Sequence, residues 1–242
     1  MLSAGAVWVV TGASRGIGEA VALASGRRGA RVALFARTEG DLERVAKAVE
    51  ASGGEAFSIV GDARRAEDIE RLFSEVLTRW GRVDVLVNSA GRGIYSSVTE
   101  GRPADWRVML DLNLFGVFCA SQLAVRTMRE TGGGTIVNLS SVASRKGLAG
   151  WAVYNATKFG LNGFSEALRL ETLKDNIRVI VIEPGAVDTG WGEGIPEEFR
   201  RLRGSVTNLG AEDVAETIVF AATRPAHVSL NEILIRPTEQ ER

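Results

Sequence analysis

Tyr154 and Lys158 stand four residues apart in Tyr-Asn-Ala-Thr-Lys, and Ser141 lies thirteen residues before the tyrosine. On a helix, a spacing of four puts the phenol and the ammonium side by side on one face, with Cβ atoms about 5–6 Å apart. A free phenol titrates near ~10 and is a poor acid or base at neutral pH. A neighbouring cation favours the phenolate and lowers that pKa, which makes the tyrosine a usable proton donor and acceptor. A hydroxyl such as Ser141 could then hold the oxygen that receives the proton. By itself Tyr-x-x-x-Lys carries little weight, because chance supplies one in roughly one chain of three. Its meaning depends on the elements that position it.

The first of these elements is a glycine loop. Thr11-Gly12-Ala13-Ser14-Arg15-Gly16-Ile17-Gly18 follows an apolar run and opens an amphipathic stretch. Glycines permit positive φ and let a phosphate approach the backbone, while a helix N-terminus supplies free N–H donors and a favourable dipole. The spacing is G-x-x-x-G-x-G, not the G-x-G-x-x-G of the standard dinucleotide fingerprint. The end of the second strand discriminates between cofactors: an acid there accepts from both ribose hydroxyls and repels a 2′-phosphate, whereas an arginine pairs with it. Here the chain reads Leu34-Phe35-Ala36-Arg37-Thr38, with no acid until Glu39, and Arg15 adds a second guanidinium. The pattern favours NADP(H) over NAD(H).

Short apolar runs alternate with longer amphipathic stretches along the whole chain. Strands are expected at Val7–Thr11, Val32–Ala36, Ala56–Val60, Val83–Asn88, Gly134–Leu139, Arg178–Glu183 and Glu232–Ile235, and helices at 17–28, 41–52, 66–80, 105–130, 152–174 and 211–223. Runs apolar on both faces, alternating with helices, indicate an α/β fold with a parallel sheet covered on both sides. No linker or repeat divides the 242 residues, so a single doubly wound Rossmann-type domain with a seven-stranded sheet is expected over 1–242. The glycine-rich stretch around 188–205 reads as a lid-like excursion beyond a strand's carboxyl end, where ligands bind in open α/β sheets. The two long helices carry more apolar residues than one buried face requires, including Leu112, Leu114, Phe115, Val117, Phe118, Leu161, Phe164 and Leu168. This favours a partner subunit against them.

Composition narrows the function classes. A formal net charge of −1 argues against a nucleic-acid or acidic-membrane partner. Cys119 is the only cysteine, which leaves no disulfide framework, and its apolar neighbours suggest a structural thiol. His227 is the only histidine and is expected to close a turn before the last strand; no clustered metal ligands are seen. No run approaches ~18 uninterrupted apolar residues, and the N-terminus reads as a first strand rather than a signal peptide. A cytoplasmic location is expected.

Taken in order, these motifs resemble the short-chain dehydrogenase/reductase family over essentially the whole chain. They are Thr11-Gly12-x-x-x-Gly16-x-Gly18, Asp62 after the third strand, Asn88-Ser89-Ala90-Gly91 after the fourth, Asp111-Leu112-Asn113, Asn138-Leu139-Ser140-Ser141, Tyr154-x-x-x-Lys158, and Pro184-Gly185 with Thr189. The resemblance implies an oxidoreductase in which Tyr154 is the general acid/base and Ser141 orients the substrate oxygen. Lys158 would bind the nicotinamide ribose and hold down the Tyr154 pKa, and Asn113 would anchor a water relaying protons to solvent. Gly12, Ser14, Arg15, Gly16, Ile17, Gly18, Arg37 and Thr38 would surround the phosphates. Asp62 and Ala63 would contact adenine, and Asn88, Ala90 and Gly91 would line the adenosine side. Pro184, Gly185, Val187 and Thr189 would hold the carboxamide. Ser89 departs from the family's usual Asn, which puts only the detail of that turn in question. A homotetramer or homodimer is also implied.

The substrate is less legible. Pocket residues are expected at Arg92, Gly93, Ile94, Val142, Ala143, Leu148, Trp151, Ala186, Val187 and Trp191, with Arg92 or the pair Arg145–Lys146 able to hold a carboxylate. The tail His227–Thr238 resembles a subgroup that includes 3-hydroxy-acid and serine dehydrogenases. This favours a small polar 3-oxo or 3-hydroxy acid, with bulkier neutral ketones or aldehydes as the alternative. A non-catalytic NADP(H)-binding redox sensor is a third reading, weakened because Ser141, Tyr154 and Lys158 are all present.

Overall fold

The computed structural model describes residues 4–190, 195, 197 and 207–240. Its first strand, β1 (Val7–Thr11), is buried along its full length. Side chains alternate across a strand, and here both sets are apolar. Val7 and Val9 enter one core, and Trp8 and Val10 the other. The same division runs through the neighbouring strands, which is why helices must cover both faces.

Further strands and helices alternate along the chain: α1 (Gly16–Gly26), β2 (Arg31–Ala36), α2 (Glu39–Ala51), β3 (Glu55–Val60), α3 (Ala66–Trp80) and β4 (Val85–Asn88). Next come α4 (Pro103–Leu110), a π-helical turn (Asp111–Phe115), α5 (Gly116–Thr131), β5 (Gly134–Leu139), α6 (Ala152–Glu171) and β6 (Ile177–Pro184). A parallel two-residue pair, β7 (Val187–Asp188) and β8 (Leu209–Gly210), precedes α7 (Ala211–Ala222) and β9 (Glu232–Ile235). Among the described residues the main sheet has seven parallel strands in the order β3-β2-β1-β4-β5-β6-β9. The order reverses beside β1, and that crevice is where doubly wound sheets bind ligands.

The expected strands agree with these to within two residues; β4 starts at Val85 because Asp84 instead joins its amide to Val7 and accepts the Val7 N–H on its carboxylate. The expected single helix at 105–130 is real but is interrupted by the π-turn. A π-turn inserts one residue and rotates the helix beyond it, a device often found at functional sites. Gly116, immediately after it, lets the helix pass beneath the loop after β3, since a Cβ there would lie 2.1 Å from the carbonyl oxygen of Ala63.

The apolar surplus of the two long helices is divided. Val117, Leu161 and Leu168 are buried, Leu112 and Phe164 partly so, while Leu110, Phe115, Phe118 and Phe159 stay exposed. By length and composition alone Pro103–Thr131 could cross a membrane, but Met109, Val117, Ala120, Ala124 and Met128 are buried within the fold. Cys119 is partly buried, and burial pushes its thiol pKa up. His227 is exposed in a turn closed by the Val228 amide and the Pro225 carbonyl.

Candidate functional site

The loops leaving the carboxyl ends of the strands line a cavity of about 1060 Å³. Its β1 end is the glycine loop. Gly12 has φ +69°, and a Cβ there would lie 2.8 Å from the Cα and N of Ala90, so only glycine lets this loop pack on the loop after β4. Thr11 Oγ1 fastens the two by accepting the amides of Ser89 and Ala90, each at 3.2 Å. The turn is therefore held through backbone groups, and Ser89 fits it in place of the usual Asn. Ser14, Arg15, Gly16 and Ile17 face the cavity at the start of α1. Gly18 does not; its missing Cβ is required because one would lie 2.3 Å from the carbonyl oxygen of Gly12.

Arg37 and Thr38 line the same end of the cavity. Arg15 and Arg37 are both exposed, and neither has an ion-pair partner among the described residues. Their neighbours are otherwise engaged: Arg44 grips Glu19 and the Ser14 carbonyl, and Arg64 chelates Asp62. Hydrogen bonds from Arg64, with the charge of Arg37 as a smaller contribution, hold the Asp62 carboxyl below the usual carboxylate range. Asp62 and Ala63 line the wall, as do Ala90 and Gly91.

Asn88 is a correction. It is buried and does not face the cavity; its Nδ2 donates to Asn138 Oδ1 at 2.8 Å, and Asn138 in turn donates to Ser165 at 2.9 Å. The expected ligand contact is instead a polar chain linking β4, β5 and α6. An unpartnered amide in that apolar setting would be costly, so these groups satisfy one another.

At the other end α6 presents Tyr154 and Lys158 to the cavity. Lys158 Nζ lies 5.7 Å from the centre of the Tyr154 ring and donates to the Leu139 carbonyl at 2.7 Å. Burial lowers the Lys158 pKa to about 8. Ser141 begins the short 3₁₀ turn Val142–Ser144, and its Oγ accepts the Ala143 amide at 3.2 Å. That bond occupies a lone pair and leaves the hydroxyl proton to be donated. Ser140, its neighbour, instead spends its proton on Asn162 Oδ1 at 2.7 Å.

Asn113 sits behind the wall, almost fully buried in the π-turn. Its amide brackets one residue, accepting from Arg92 N at 2.9 Å and donating to Arg92 O at 2.8 Å, and donates to Thr157 at 3.0 Å. A Cβ added to Gly91 would lie 3.4 Å from Asn113 Oδ1 and 3.8 Å from Lys158 Nζ. Asn113 and Lys158 thus approach each other across a residue without a side chain. Pro184, Gly185, Val187 and Thr189 complete this end, and Thr189 packs against Gly16.

Of the expected substrate residues, Arg92, Val142, Ala143, Leu148, Trp151 and Ala186 line the cavity. Ile94 stands back in the apolar cluster with its amide on the Met109 sulfur, and Gly93 is also off the wall. Trp191 and most of the 188–205 excursion lie outside the described residues; Ile195 is described, and it is buried among Trp151, Tyr154 and Met109. Arg145 is a second correction. Its Nε and Nη2 are engaged by Glu183 and Glu232 and it does not line the cavity, whereas Lys146 does.

The sequence reading missed several contributors. Val108 and Leu112 line the wall, and Tyr95 packs edge-on against Trp151 at 5.5 Å. Asn155 pins the Ser141 loop, donating to the carbonyls of Ala143 and Lys146 at 2.6 and 2.8 Å. Glu239 and Gln240 also reach the cavity, with Gln240 Oε1 accepting the Ala186 amide at 3.0 Å. The position of Asn155 beside Tyr154 was a usable signal; nothing local marks the tail residues.

A family model described as short chain dehydrogenase matches residues 6–199. An uncharacterized oxidoreductase of Staphylococcus epidermidis is 34% identical over 231 residues, covering 96% of both chains. Among solved structures, an alcohol dehydrogenase from the archaeon Thermococcus sibiricus, complexed with 5-hydroxy-NADP, is 31% identical with a TM-score of 0.88, covering 98% of each chain. An L-sorbose reductase from Gluconobacter frateurii, complexed with NADPH and L-sorbose, is 28% identical with a TM-score of 0.88, covering 96% of this chain and 95% of its own.

Proposed function

This chain belongs to the short-chain dehydrogenase family, and on that premise we propose that it is an NADP(H)-dependent oxidoreductase interconverting a carbonyl and a secondary alcohol. The observation that carries the reading is the meeting of Tyr154, Lys158 and Ser141 at one end of a cavity whose other end is a glycine loop flanked by two arginines. The residues suit a phosphorylated dinucleotide: Gly12 and Gly16 keep the loop open to phosphate, and Arg15 and Arg37 have no ion-pair partner among the described residues with which a 2′-phosphate would compete. Relatives of similar fold bind NADP-type cofactors. Bound here, the nicotinamide would supply or accept the hydride.

The chain's own residues handle the proton and the oxygen. In reduction Tyr154 gives its phenolic proton to the oxygen of the substrate as negative charge develops there. Ser141, its acceptor side already engaged by Ala143, donates to the same oxygen and stabilises that charge. Lys158 keeps a cation beside the phenol and would bind the nicotinamide ribose. Asn113 supports the stretch Gly91–Arg92 next to Lys158 and is the expected anchor of a water that carries protons to solvent. Pro184–Val187 and Thr189 would hold the carboxamide, and Asp62 with Ala63 the adenine. Oxidation is the reverse, with Tyr154 as phenolate.

Arg92 and Lys146 at the cavity favour a small polar 3-oxo or 3-hydroxy acid. A second reading rests on the apolar wall of Val142, Leu148, Trp151, Val108 and Leu112, which suits a bulkier neutral ketone. The exposed phenylalanines of α5 and α6 and the flanking π-turn favour a homotetramer or homodimer. The decisive experiment for the reaction is Tyr154→Phe. Turnover with NADPH and a carbonyl panel should vanish while NADPH binding, followed by its fluorescence, stays nearly intact. Retained turnover would sink the mechanism.

A further inference from the structure

Glu183 is the penultimate residue of β6, just before Pro184, and is fully buried. A buried carboxylate is costly unless donors surround it, and here they do. Ser144 Oγ lies 2.6 Å from both the carboxylate and the Ser141 carbonyl, Asn162 Nδ2 donates to the carboxylate at 2.7 Å, and Arg145 Nε reaches both its oxygens at 2.8 and 2.9 Å. Burial alone would raise the Glu183 pKa, but these hydrogen bonds outweigh it and keep the group below the usual carboxylate range.

Every donor belongs to the surroundings of Ser141. Ser144 and Arg145 form the far end of the turn that Ser141 begins, and the Ser144 amide bonds the Ser141 carbonyl at 2.9 Å. Asn162 holds the hydroxyl of Ser140. The middle of that turn is Ala143, whose amide occupies the Ser141 acceptor side. On its other side, Glu183 leads directly into Pro184–Val187, which line the cavity.

We propose that Glu183 is a positioning residue, tying the Ser141–Arg145 turn to the strand that feeds Pro184–Val187 so that the serine hydroxyl and the cofactor loop keep one fixed separation. This rests on the oxidoreductase reading above. Catalytic groups lose rate steeply when displaced by about 1 Å; Asn155 holds this turn to α6 through the Ala143 and Lys146 carbonyls, and Glu183 holds it to β6. Arg145 extends the tie to Glu232 on β9, so that strands β6 and β9 and the serine turn share one ionic junction.

The test compares wild type with Glu183→Gln and Ser144→Ala, measuring kcat, KM for the best carbonyl, NADPH dissociation constant, melting temperature and amide exchange at Val142–Arg145. Ser144→Ala should lower kcat about 10-fold and Glu183→Gln on the order of 10²-fold. NADPH affinity should stay within about threefold, because no cofactor contact is removed. Exchange at Val142–Arg145 should quicken in both variants. Unchanged kcat in both, or unchanged exchange at the turn, overturns the proposal. So does a fall in kcat matched by equal losses in NADPH affinity and melting temperature, which marks a purely structural role. Tyr154→Phe is the control: if it keeps its turnover the oxidoreductase mechanism fails, and the exchange data alone decide whether Glu183 fixes the turn.

Discussion

The ammonium of Lys158 lies 5.7 Å from the ring centre of Tyr154, and the same nitrogen is anchored at 2.7 Å on the carbonyl of Leu139, the last residue of β5. The strand that leads to Ser141 therefore also sets the cation beside the phenol. Helical spacing brings Tyr154 and Lys158 together, and the strand end aims them.

Burying this amine has a consequence for stability. Its folded pKa of about 8 lies below the ordinary value of 10.5, so the unfolded chain binds more protons between those two pH values. The penalty from Lys158 is full below pH 8 and is relieved as pH rises towards 10.5. Relative to Lys158→Met, the cofactor-free wild type should gain on the order of 3 kcal/mol across that window. Denaturant unfolding of both proteins at several pH values checks this; parallel curves would refute it.

Cofactor choice should follow Arg37. Losing a charged hydrogen-bonding partner for phosphate costs about 1.5–3 kcal/mol, and an acid in its place adds repulsion. Arg37→Asp should thus reduce kcat/KM with NADPH by at least roughly 10-fold and move the preference towards NADH. Wild type preferring NADH would contradict the assignment.

Two glycines should respond in opposite directions. Gly12→Ala forces a Cβ against the Ala90 backbone at positive φ and should cost about 2–3 kcal/mol while weakening NADPH binding. Gly40 lies in α2 without positive φ, and a Cβ added there would meet nothing within 4 Å outside its own helix, so Gly40→Ala should stabilise by up to about 1 kcal/mol. Thermal unfolding of both variants is sufficient.

Substrate charge can be read from two cations that line the cavity, Arg92 and Lys146. If the substrate is an oxo acid, Lys146→Ala and Arg92→Ala should lower kcat/KM for 3-oxo acids and leave neutral ketones unchanged. Arg145→Ala should slow both classes alike, because its guanidinium serves Glu183 rather than the cavity. Equal rates on oxo acids in all variants would leave the neutral-ketone reading.

Light scattering tests the exposed faces of the long helices. A dimer or tetramer that dissociates in Phe115→Glu or Phe159→Glu would place these residues at an interface; a monomeric wild type would return them to ordinary surface.

Much of this protein is dictated by local pattern. Strands apolar on both faces called for helices on either side, and the order of glycine loop, serine and Tyr-x-x-x-Lys is carried by the chain itself. Four-residue spacing places Tyr154 beside Lys158 on any helix, because helix geometry is independent of the rest of the fold. Local pattern could not decide which of several similar groups meets a distant partner. Arg145 and Lys146 look alike in sequence, yet one is bound to Glu183, 38 residues away, and the other lines the cavity. Asn88 and Gly91 lie in one motif, but sheet register sends the Asn88 side chain to Asn138 while Gly91 reaches the cavity wall. Those outcomes depend on how separate elements pack, since a buried polar group must find its partner wherever the fold supplies one.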